Sequence, residues 1–503
     1  MSGEDISAIA EADIALNGKQ VACSNCHRRS GMGTNEGQIV IPPVTRDFLY
    51  QAKTLGHINL FQFKTKGAGT RPAYTDETLK KVIRTGIDPS SKTLDRMMPR
   101  FNLTENQSES LIAYIKTLTS NTSPGVSESE IHFATVITDT VPSEKTKAML
   151  DVLNQYFTDK NAETRNEGKR ALHAPWHRDW KYQSYRKWRL HVWELKGNED
   201  SWAEQLQQYY DKQPVFAMLS GLTETQWTSI HAFCERLKIP ALFPNTSYPV
   251  VSNSAYYTLY FSEGLSLEAK VLARHLNEKK SKPLEIIQVY RQNLTATAAH
   301  IFNANLSTHK NTTIHKEIIK NNRVLDKQYW KNLFHSHPDS TYVLWLNGAD
   351  LLSLSELLTS LPKPPSIFLS STLAPDFEAV IPLQSRTTVF VVHPYVLPKQ
   401  LPLALMRTTA WLRHKKILSK YFQIQANTYF SLRVAGRAIS HLRDKFSREY
   451  MIEIVEHVAE KALETSVYPR LSLGPSQRFA SKGAYILKLN KDGIKQVGDW
   501  IVP

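Results

Sequence analysis

The sequence predicts a multidomain protein, with a small all-α domain at its N-terminus and a larger two-lobed α/β domain after it. A C-x-x-C-H motif and, after it, the signals of two helices lie within the first 121 residues. A polar segment broken by Pro124 and Gly125 follows. From residue 131 onward, apolar runs typical of strands alternate with helical patterns. We therefore predict a first domain at 1–121, a linker at 122–130 and a second domain at 131–503.

The composition is that of a folded chain with an excess of basic over acidic residues. Of 503 residues, 41% are apolar, and 62 Lys or Arg against 47 Asp or Glu give a formal charge of +15. These values exclude a collagen-like or disordered protein. A basic balance favours acidic partners or membrane surfaces. No stretch approaches the roughly 18–20 apolar residues of a membrane span, so we expect none.

Two of the three cysteines belong to one motif, because Cys23, Cys26 and His27 form C-x-x-C-H. This spacing is the attachment signature of a c-type haem, in which two thiols bind the vinyl groups and the imidazole ligates the iron. A thioredoxin-like redox pair would follow a strand, and a zinc site would need a second pair of ligands nearby. Neither feature is present. Cys234 lies in an apolar helical pattern and is predicted to be a buried thiol.

The next hundred residues contain candidates for the second axial ligand of the haem iron. Met98 precedes a proline that keeps the chain extended, and it is our choice, with Met97 as the alternative. Met32 is only five residues from His27, and we do not expect it to reach the opposite haem face. His57 would instead give a bis-histidine haem.

Two helices are predicted around the Met98 segment. Thr75 begins the first, which has acidic residues in its first turn, and Gly86 is placed to end it. Thr104 and Gln107 form a capping box that opens the second. Its apolar residues recur at helical spacing, which predicts a core-facing stripe.

Residues 1 to about 120 resemble a class I cytochrome c domain, through the stretch from Cys23 to Gly33 and the M-P-R-F sequence that begins at Met98. The resemblance implies one covalent haem c, with thioether bonds from Cys23 and Cys26 and axial ligation by His27 and Met98. Arg28 and Arg29 are candidates for pairing with the haem propionates, or else a solvated basic pair. Because bacterial haem attachment takes place outside the cytoplasm, the resemblance also implies an exported, periplasmic protein, although the first residues lack a signal peptide.

The remaining 370 or so residues alternate strand and helix patterns, which predicts parallel sheets in two lobes. Long helices are predicted near the C-terminus, at about 401–418, 426–443 and 449–463, and the turn at 490–493 predicts a final β-hairpin. Their order, and the strings at 214–222, 233–243 and 468–483, resemble type 1 periplasmic binding proteins. That family contains the receptors of branched-chain amino acid and amide ABC importers. The resemblance covers residues 131–503, and the last string is most similar to a cytochrome-fused subgroup.

In that family the ligand lies between the lobes, at loops after the carboxyl ends of strands. Carried over by position, the cleft residues of the first lobe are Ser220, Thr223, Thr225, Asn245, Thr246 and Ser247. Loops near 347–350 and 370–372 would face them. Leu222, Glu224 and Trp227 replace the small hydroxyl residues usual in amino-acid receptors. Two alternatives stay open: a cleft with a different ligand, and a scaffold that has lost binding.

Two further patterns receive other interpretations. The segment 176–193 interleaves basic and aromatic residues, a pattern found in nucleic-acid binding. In an exported cytochrome we expect a solvated or partner-facing basic surface instead, and no nucleic acid. His173 and His177 are four residues apart, but Pro175 between them opposes a helical metal site.

The sequence therefore predicts a periplasmic monohaem c-type cytochrome that carries single electrons and is not an enzyme. Its binding-protein-like module is expected to dock a periplasmic redox protein or dehydrogenase, or to bind a small molecule. The alternative is an ABC-type solute-binding receptor or sensor in which the haem reports the ligand state. A haem enzyme with an open sixth position is disfavoured by Met98.

Overall fold

The computed structural model describes most of the chain, and its residues form two compact units. The described residues are 7–9, 15–17, 20–36, 39–54, 70–119, 122–164, 186–252, 254–278, 284–306, 312–383, 388–442, 445–460, 466–475, 477–490 and 493–503. The first unit contains the described residues up to 126 together with those of 439–454. The second contains the other described residues from 127 to 503.

The first unit combines helices with short strands. Its helices are α1 (Cys23–His27), α2 (Arg46–Leu49), α3 (Asp76–Thr85) and α4 (Glu105–Thr117). Its strands are β1 (Ser7–Ile9), β2 (Ala15–Asn17), β3 (Thr34–Glu36), β4 (Ile39–Ile41), β5 (Lys53–Thr54), β6 (Thr70–Arg71) and β7 (Arg100–Asn102). They pair as a β2-β1-β7 sheet and two hairpins, β3-β4 and β5-β6. These strands of two or three residues add to the helical domain that the sequence predicts, and they are too short to produce a recognisable alternating pattern.

The caps of α3 and α4 confirm the predicted helix boundaries. The side chain of Thr75 accepts from the Thr78 amide, and Gly86 ends α3 in the left-handed conformation, with φ 74°. Thr104 and Gln107 form the expected reciprocal capping box of α4. Both helices bury an apolar stripe in one core, whose buried members are Ala8, Leu49, Tyr74, Leu79, Val82, Ile83, Phe101, Leu103, Ile112 and Ile115.

The first lobe of the second unit is built on a five-stranded parallel sheet, in the order β12-β11-β10-β8-β9. Its strands are β8 (Glu130–Thr138), β9 (Lys187–Leu195), β10 (Ala217–Leu219), β11 (Ala241–Leu242) and β12 (Thr258–Leu259). The helices between them are α5 (Ser143–Thr164), α6 (Trp202–Lys212) and α7 (Thr228–Leu237). Cys234 on α7 is buried in the lobe core, as predicted.

The second lobe is built on a seven-stranded sheet, in the order β14-β13-β15-β16-β17-β18-β19. Strands β13 (Leu284–Arg291), β14 (Thr312–Ile319), β15 (Thr341–Trp345), β16 (Ser366–Ser370) and β17 (Val389–His393) are parallel. The predicted C-terminal hairpin, β18 (Ala484–Asn490) and β19 (Gly493–Ile501), completes the sheet antiparallel. The helices up to β17 are α8 (Leu265–Glu278), α9 (Ala296–Asn305), α10 (Lys327–Ser336), α11 (Leu352–Leu358) and α12 (Phe377–Val380).

The described residues between β17 and β18 form four more helices. They are α13 (Leu401–Ala404), α14 (Met406–His414), α15 (Phe422–Leu442) and α16 (Arg448–Glu460). The continuous helix that the sequence predicts from Leu401 is divided at Leu405, where the backbone leaves helical geometry with ψ 16°. Among the described residues, no helix has the length and apolar character to cross a membrane.

Candidate functional site

The C-x-x-C-H motif forms the one-turn helix α1. Cys23 and Cys26 lie one turn apart with exposed thiols. His27 ends the helix and is only 8% exposed. One helical turn therefore places two cysteine residues at the surface and an imidazole in the interior. This geometry matches what covalent attachment and axial ligation of a haem require.

The orientation of the His27 ring is set by a hydrogen bond to the backbone. Its Nδ1 lies 2.9 Å from the carbonyl oxygen of Pro42. A carbonyl can only accept, so Nδ1 carries the proton and donates, which leaves the lone pair on Nε2 for a metal. Burial lowers the pKa of His27, an effect that the hydrogen bond to Pro42 only partly opposes. Burial therefore favours the neutral imidazole, the form that ligates iron.

The hairpin β3-β4 brings Pro42 to the histidine. Thr34 pairs with Ile41, and the amide of Gly33 donates to the His27 carbonyl over 3.0 Å. Gly33 has φ +74°, and a Cβ on it would lie 2.1 Å from the Ile41 carbonyl oxygen. Only glycine permits this close approach. The second glycine of the S-G-M-G sequence therefore has a direct part in orienting the imidazole.

The two methionines of the Met-Met-Pro segment face different surroundings. Met97 is 51% exposed, whereas Met98 is partly buried and packs against the apolar core of the first unit. Arg100 holds this loop by donating to the carbonyls of Met98 and Leu94. Met32 is also buried. His57, the bis-histidine alternative, lies outside the described residues.

An acidic side chain far away in sequence holds the loop that follows His27. The carboxylate of Glu453 accepts from the Ser30 amide over 2.8 Å and from the Ser30 hydroxyl over 2.5 Å. That hydroxyl also accepts from the Met32 amide over 3.1 Å. Because 423 residues separate Ser30 from Glu453, no local pattern reveals this contact. It is a feature of the motif loop that the sequence does not predict.

Arginines near the motif have different environments. Arg28 is half-buried and has φ 63°, and Arg29 is exposed. Arg71, which the sequence does not single out, is buried and donates to the carbonyls of Phe48, Leu49, Gln51 and Pro72. Its guanidinium also lies 4.5 Å from the ring centroid of Tyr74. Arg71 therefore organises the loop after α2, whereas Arg28 and Arg29 remain the candidates for propionate pairing.

The donor set of the first unit fits a covalently attached haem. It combines two exposed thiols, a neutral imidazole whose Nε2 is set for a metal, and a thioether at the edge of an apolar core. Soft sulfur and imidazole ligands with an apolar shell are what a c-type haem requires. Cys23 and Cys26 would hold it, and His27 would ligate its iron.

In the second unit, the predicted cleft residues nearest the sheet bond to helix α15. The Ser220 amide donates to the Ser431 hydroxyl over 3.2 Å, and the Ser220 and Thr428 hydroxyls are 3.1 Å apart. Asn245 donates to the Ser220 hydroxyl over 3.0 Å and accepts from Asn427 over 3.1 Å. Ser220 is 1% exposed. These polar groups therefore bind the α15 helix to the ends of strands β10 and β11.

The other predicted cleft residues are arranged differently. Thr223 is buried and bonds to Thr138 over 3.1 Å and to Thr225, also over 3.1 Å. Thr246 and Ser247 are half-buried, and the Thr246 hydroxyl accepts from a nearby backbone amide. Thr225, Thr246 and Ser247 are thus the more accessible members of the set.

The loops of the second lobe contain charged groups that the sequence does not predict. Asp350 forms an ion pair with Arg291, at 2.5 Å. Thr372 donates from its amide and hydroxyl to Glu268, whose side chain is buried in the lobe. Burial raises the pKa of Glu268 to about 7, although hydrogen bonds from Ser370 and Thr372 oppose the rise. The Thr372 hydroxyl also lies 2.9 Å from that of Tyr395.

The described part of segment 176–193, in which basic and aromatic residues alternate, belongs to the sheet of the first lobe. Trp188 is buried on β9. The guanidinium of Arg189 forms an ion pair with the carboxylate of Glu130 on the neighbouring strand, at 2.6 Å. Nε2 of His191 lies 2.9 Å from Nδ1 of His132. The pair His173 and His177, like the rest of the segment before residue 186, lies outside the described residues.

Comparison with known proteins gives a different result for each part of the chain. Residues 15–119 match the family model described as Cytochrome c. No curated protein sequence matches the chain. The larger part of the chain resembles solved structures of solute-binding proteins. Because the sequence identity is low, this similarity shows the fold of that part and no more.

Three such structures illustrate the likeness. A branched-chain amino acid ABC transporter protein from Thermus thermophilus with bound valine has a TM-score of 0.54 and 11% identity, covering 75% of this chain and 98% of that one. A possible leucine/isoleucine/valine-binding protein from Rhodopirellula baltica has a TM-score of 0.51 and 14% identity, covering 75% and 98%. A fatty acid ABC transporter substrate-binding protein from Thermomonospora curvata has a TM-score of 0.50 and 15% identity, covering 76% and 95%.

The matches correspond to the two parts described above. The C-x-x-C-H helix and its apolar core lie within the family match, and the two-sheet α/β unit accounts for the structural likeness. Residues 15–119 therefore form a cytochrome c domain, and most of the rest of the chain has the fold of the type 1 periplasmic binding proteins.

Proposed function

We propose that the protein is a periplasmic electron carrier with one haem c, attached to Cys23 and Cys26 and ligated by His27 and Met98. The 2.9 Å hydrogen bond from His27 Nδ1 to the Pro42 carbonyl carries this proposal. It sets both the tautomer and the ring orientation, so the imidazole is prepared for a metal before binding it. When bound, the haem supplies a one-electron couple, whose potential His–Met ligation makes relatively high.

The residues around the motif then have separate roles. Glu453 and Gly33 hold the loop that orients His27, and the apolar core excludes water from one side of the site. Arg28 and Arg29 would pair with the propionates. A filled sixth position, with Met98 as ligand, favours electron transfer over oxygen or peroxide chemistry at the iron.

The axial assignment is tested by replacing the candidate ligands one at a time in protein matured with haem-attachment machinery. We expect Met98→Ala to abolish the sulfur-to-iron charge-transfer band and to lower the potential. Met32→Ala, the matched control for a buried thioether, should keep the band. Loss of the band in Met32→Ala alone would contradict the Met98 assignment, and a band absent from the wild type would favour the bis-histidine alternative with His57.

We further propose that the second unit binds a small molecule in its interlobe cleft or docks the redox protein or dehydrogenase that exchanges electrons with the haem. The likeness to solute-binding folds supports ligand binding. Ser220, Thr223 and Asn245 would shape the cleft floor through their bonds to other protein groups. Thr225, Thr246 and Ser247 would contact the ligand directly.

Native mass spectrometry of the holoprotein, followed by denaturation, separates these functions. One covalent haem plus a small mass lost on denaturation would establish a ligand and identify it. One covalent haem with no second mass would favour docking of a redox protein. Absence of covalent haem would contradict the electron-carrier proposal.

The solute-binding fold also supports an alternative, a receptor or sensor in which the haem reports ligand state. In that case a bound solute must shift the haem potential, because coupling between two sites is reciprocal. A solute that binds without changing the potential would favour the carrier over the sensor. If the haem and the solute site are not coupled, Met98→Ala should leave the affinity for the solute unchanged.

A further inference from the structure

Three metal-binding side chains converge at one edge of the seven-stranded sheet, remote in sequence from the C-x-x-C-H motif. Glu285 lies near the start of β13, His315 on β14 and His337 directly after α10. Their ligand atoms all lie within 4.8 Å of one another. None of these residues has a role in the function proposed above.

The sheet register explains why the first two side chains meet. Strands β13 and β14 are parallel, with Ile287 opposite His315. Side chains alternate between faces along a strand, so Glu285, Ile287 and His315 share one face. Ile287 packs in the core that also contains Trp330, Leu333 and Phe334 of α10. The chain leaving α10 therefore brings His337 to the same face.

The two carboxylate-to-imidazole distances suit a metal site. Oε1 of Glu285 lies 3.1 Å from Nε2 of His315 and 3.2 Å from Nδ1 of His337. Tetrahedral zinc with bonds of about 2.0–2.2 Å separates its ligand atoms by about 3.3–3.5 Å. The carboxylate oxygen is thus within a few tenths of an ångström of the required distance from both nitrogens. The two imidazole rings lie 5.1 Å apart between centroids.

The carboxylate is held by a further contact, and the cluster is accessible. The hydroxyl of Ser340 donates to Oε2 of Glu285, the oxygen that does not face the histidines. This contact orients Oε1 toward the site. The side chains of Glu285, His315 and His337 are 40%, 45% and 26% exposed. An ion can therefore enter from solvent, and a fourth position remains for water or another ligand.

We propose that Glu285, His315 and His337 bind a divalent transition-metal ion of the zinc class. Two imidazoles and one carboxylate form the donor set of zinc sites that keep an open coordination position. Imidazole donors select zinc, copper or nickel over calcium and magnesium. This site is distinct from the haem and does not depend on the proposed electron-carrier function.

The competing interpretation is a hydrogen-bonded network without an ion, because 3.1 Å and 3.2 Å also suit a carboxylate that accepts from two histidines. The test uses the full-length holoprotein, treated with a chelator, dialysed and then titrated with zinc. Elemental analysis measures bound zinc, and amino acid analysis measures the protein in the same sample. We expect one zinc per protein chain, retained through gel filtration.

The matched variants are His315→Ala and His337→Ala, with His335→Ala as the control. His335 lies on the same helix end, is exposed and does not belong to the cluster. Each cluster variant should weaken zinc binding at least tenfold, and the control should bind as the wild type does. Ser340→Ala removes only the orienting contact and should weaken binding by about 10–100-fold.

Two results would overturn the proposal. One is a wild-type protein that holds no zinc above the background of a sample without added metal. The other is equal zinc binding in the wild type and the cluster variants. If an alanine variant does not fold, judged by circular dichroism and gel filtration, Glu285→Gln keeps the side-chain shape. Unchanged zinc binding in that variant would equally contradict the site.

Discussion

The loop around His27 and the loops around Ser220 are both rich in small polar residues, but their polar groups have different partners. In the first, backbone groups and Glu453 hold the loop, while the Cys23 and Cys26 thiols remain exposed. In the second, Ser220 and Asn245 bond to helix α15. A residue type suited to ligand binding is therefore informative only when the fold leaves its polar atoms accessible.

The largest expected effect is at the histidine of the first loop. His27→Ala removes the imidazole whose Nε2 is set for iron, while Cys23 and Cys26 remain. We expect the haem to be attached poorly or with a changed spectrum, and the wild-type redox couple to be lost. Denaturing mass spectrometry and potentiometry measure both. The exposed His414, replaced by Ala, should leave both unchanged, and a wild-type couple in His27→Ala would refute the assignment.

The buried carboxylate of Glu268 makes the stability of the second unit depend on pH. Burial raises its pKa from 4.5 to about 7, so between these values the folded state binds more protons than the unfolded state. The resulting stabilisation is full below pH 4.5 and is lost as pH rises through about 7, a change on the order of 3 kcal/mol.

Glu268→Gln tests this expectation, because the amide cannot ionise. Urea unfolding of the full-length protein from pH 5 to 8 should show a fall in free energy of unfolding in the wild type that is absent from the variant. Glu356→Gln, an exposed carboxylate paired with Lys327, should keep the wild-type slope. Parallel profiles for the wild type and Glu268→Gln would show that Glu268 does not titrate in this range.

A third prediction concerns the backbone that supports His27. Gly33→Ala places a Cβ against the Ile41 carbonyl at φ +74°, and we expect a loss of about 3 kcal/mol in the first unit. Gly498→Ala has a similar φ of +72° with nothing within 4 Å and should cost about 1 kcal/mol. Urea unfolding, monitored by haem absorbance and by far-ultraviolet circular dichroism, compares the stability losses of the two variants. Equal losses of unfolding free energy in the two variants would mean that the close approach of Gly33 to the Ile41 carbonyl does not affect stability.

The smallest effects distinguish the residues of the predicted cleft. Asn245→Ala breaks buried hydrogen bonds to Ser220 and Asn427 and should cost about 2 kcal/mol of unfolding free energy. Thr246→Ala removes one acceptor at a half-buried position and should cost less than about 1 kcal/mol. Chemical denaturation of the full-length protein measures both. The reverse order would contradict the stabilising role of the Asn245 hydrogen bonds.

Local features of the sequence were sufficient for much of the architecture. The caps at Thr75, Gly86 and Thr104 depend on side chains within three or four residues, and all three form as predicted. The alternation of strands and helices predicts the parallel sheets, and the turn before Gly493 predicts the final hairpin. The division of the first long C-terminal helix at Leu405 was missed, because that segment keeps its apolar periodicity across the break.

Contacts between distant residues had no comparable signal. Thr372 is 104 positions from Glu268, and Asn427 is 182 positions from Asn245. The convergence of His315 and His337 on Glu285 depends on the register of two strands and the end of a helix. A single sequence contains no local pattern that specifies such a register, so these partners become visible only in the folded chain.

The residue order alone was enough to indicate the haem motif, the helices around it and the two-lobed α/β unit, because these depend on spacing within one turn, one cap or one strand. The folded chain alone shows that His27 is oriented by Pro42, that Glu453 holds Ser30 and that α15 occupies the polar groups at the ends of β10 and β11. The physical reason is that hydrogen bonds act over about 3 Å in space, whatever the distance along the chain.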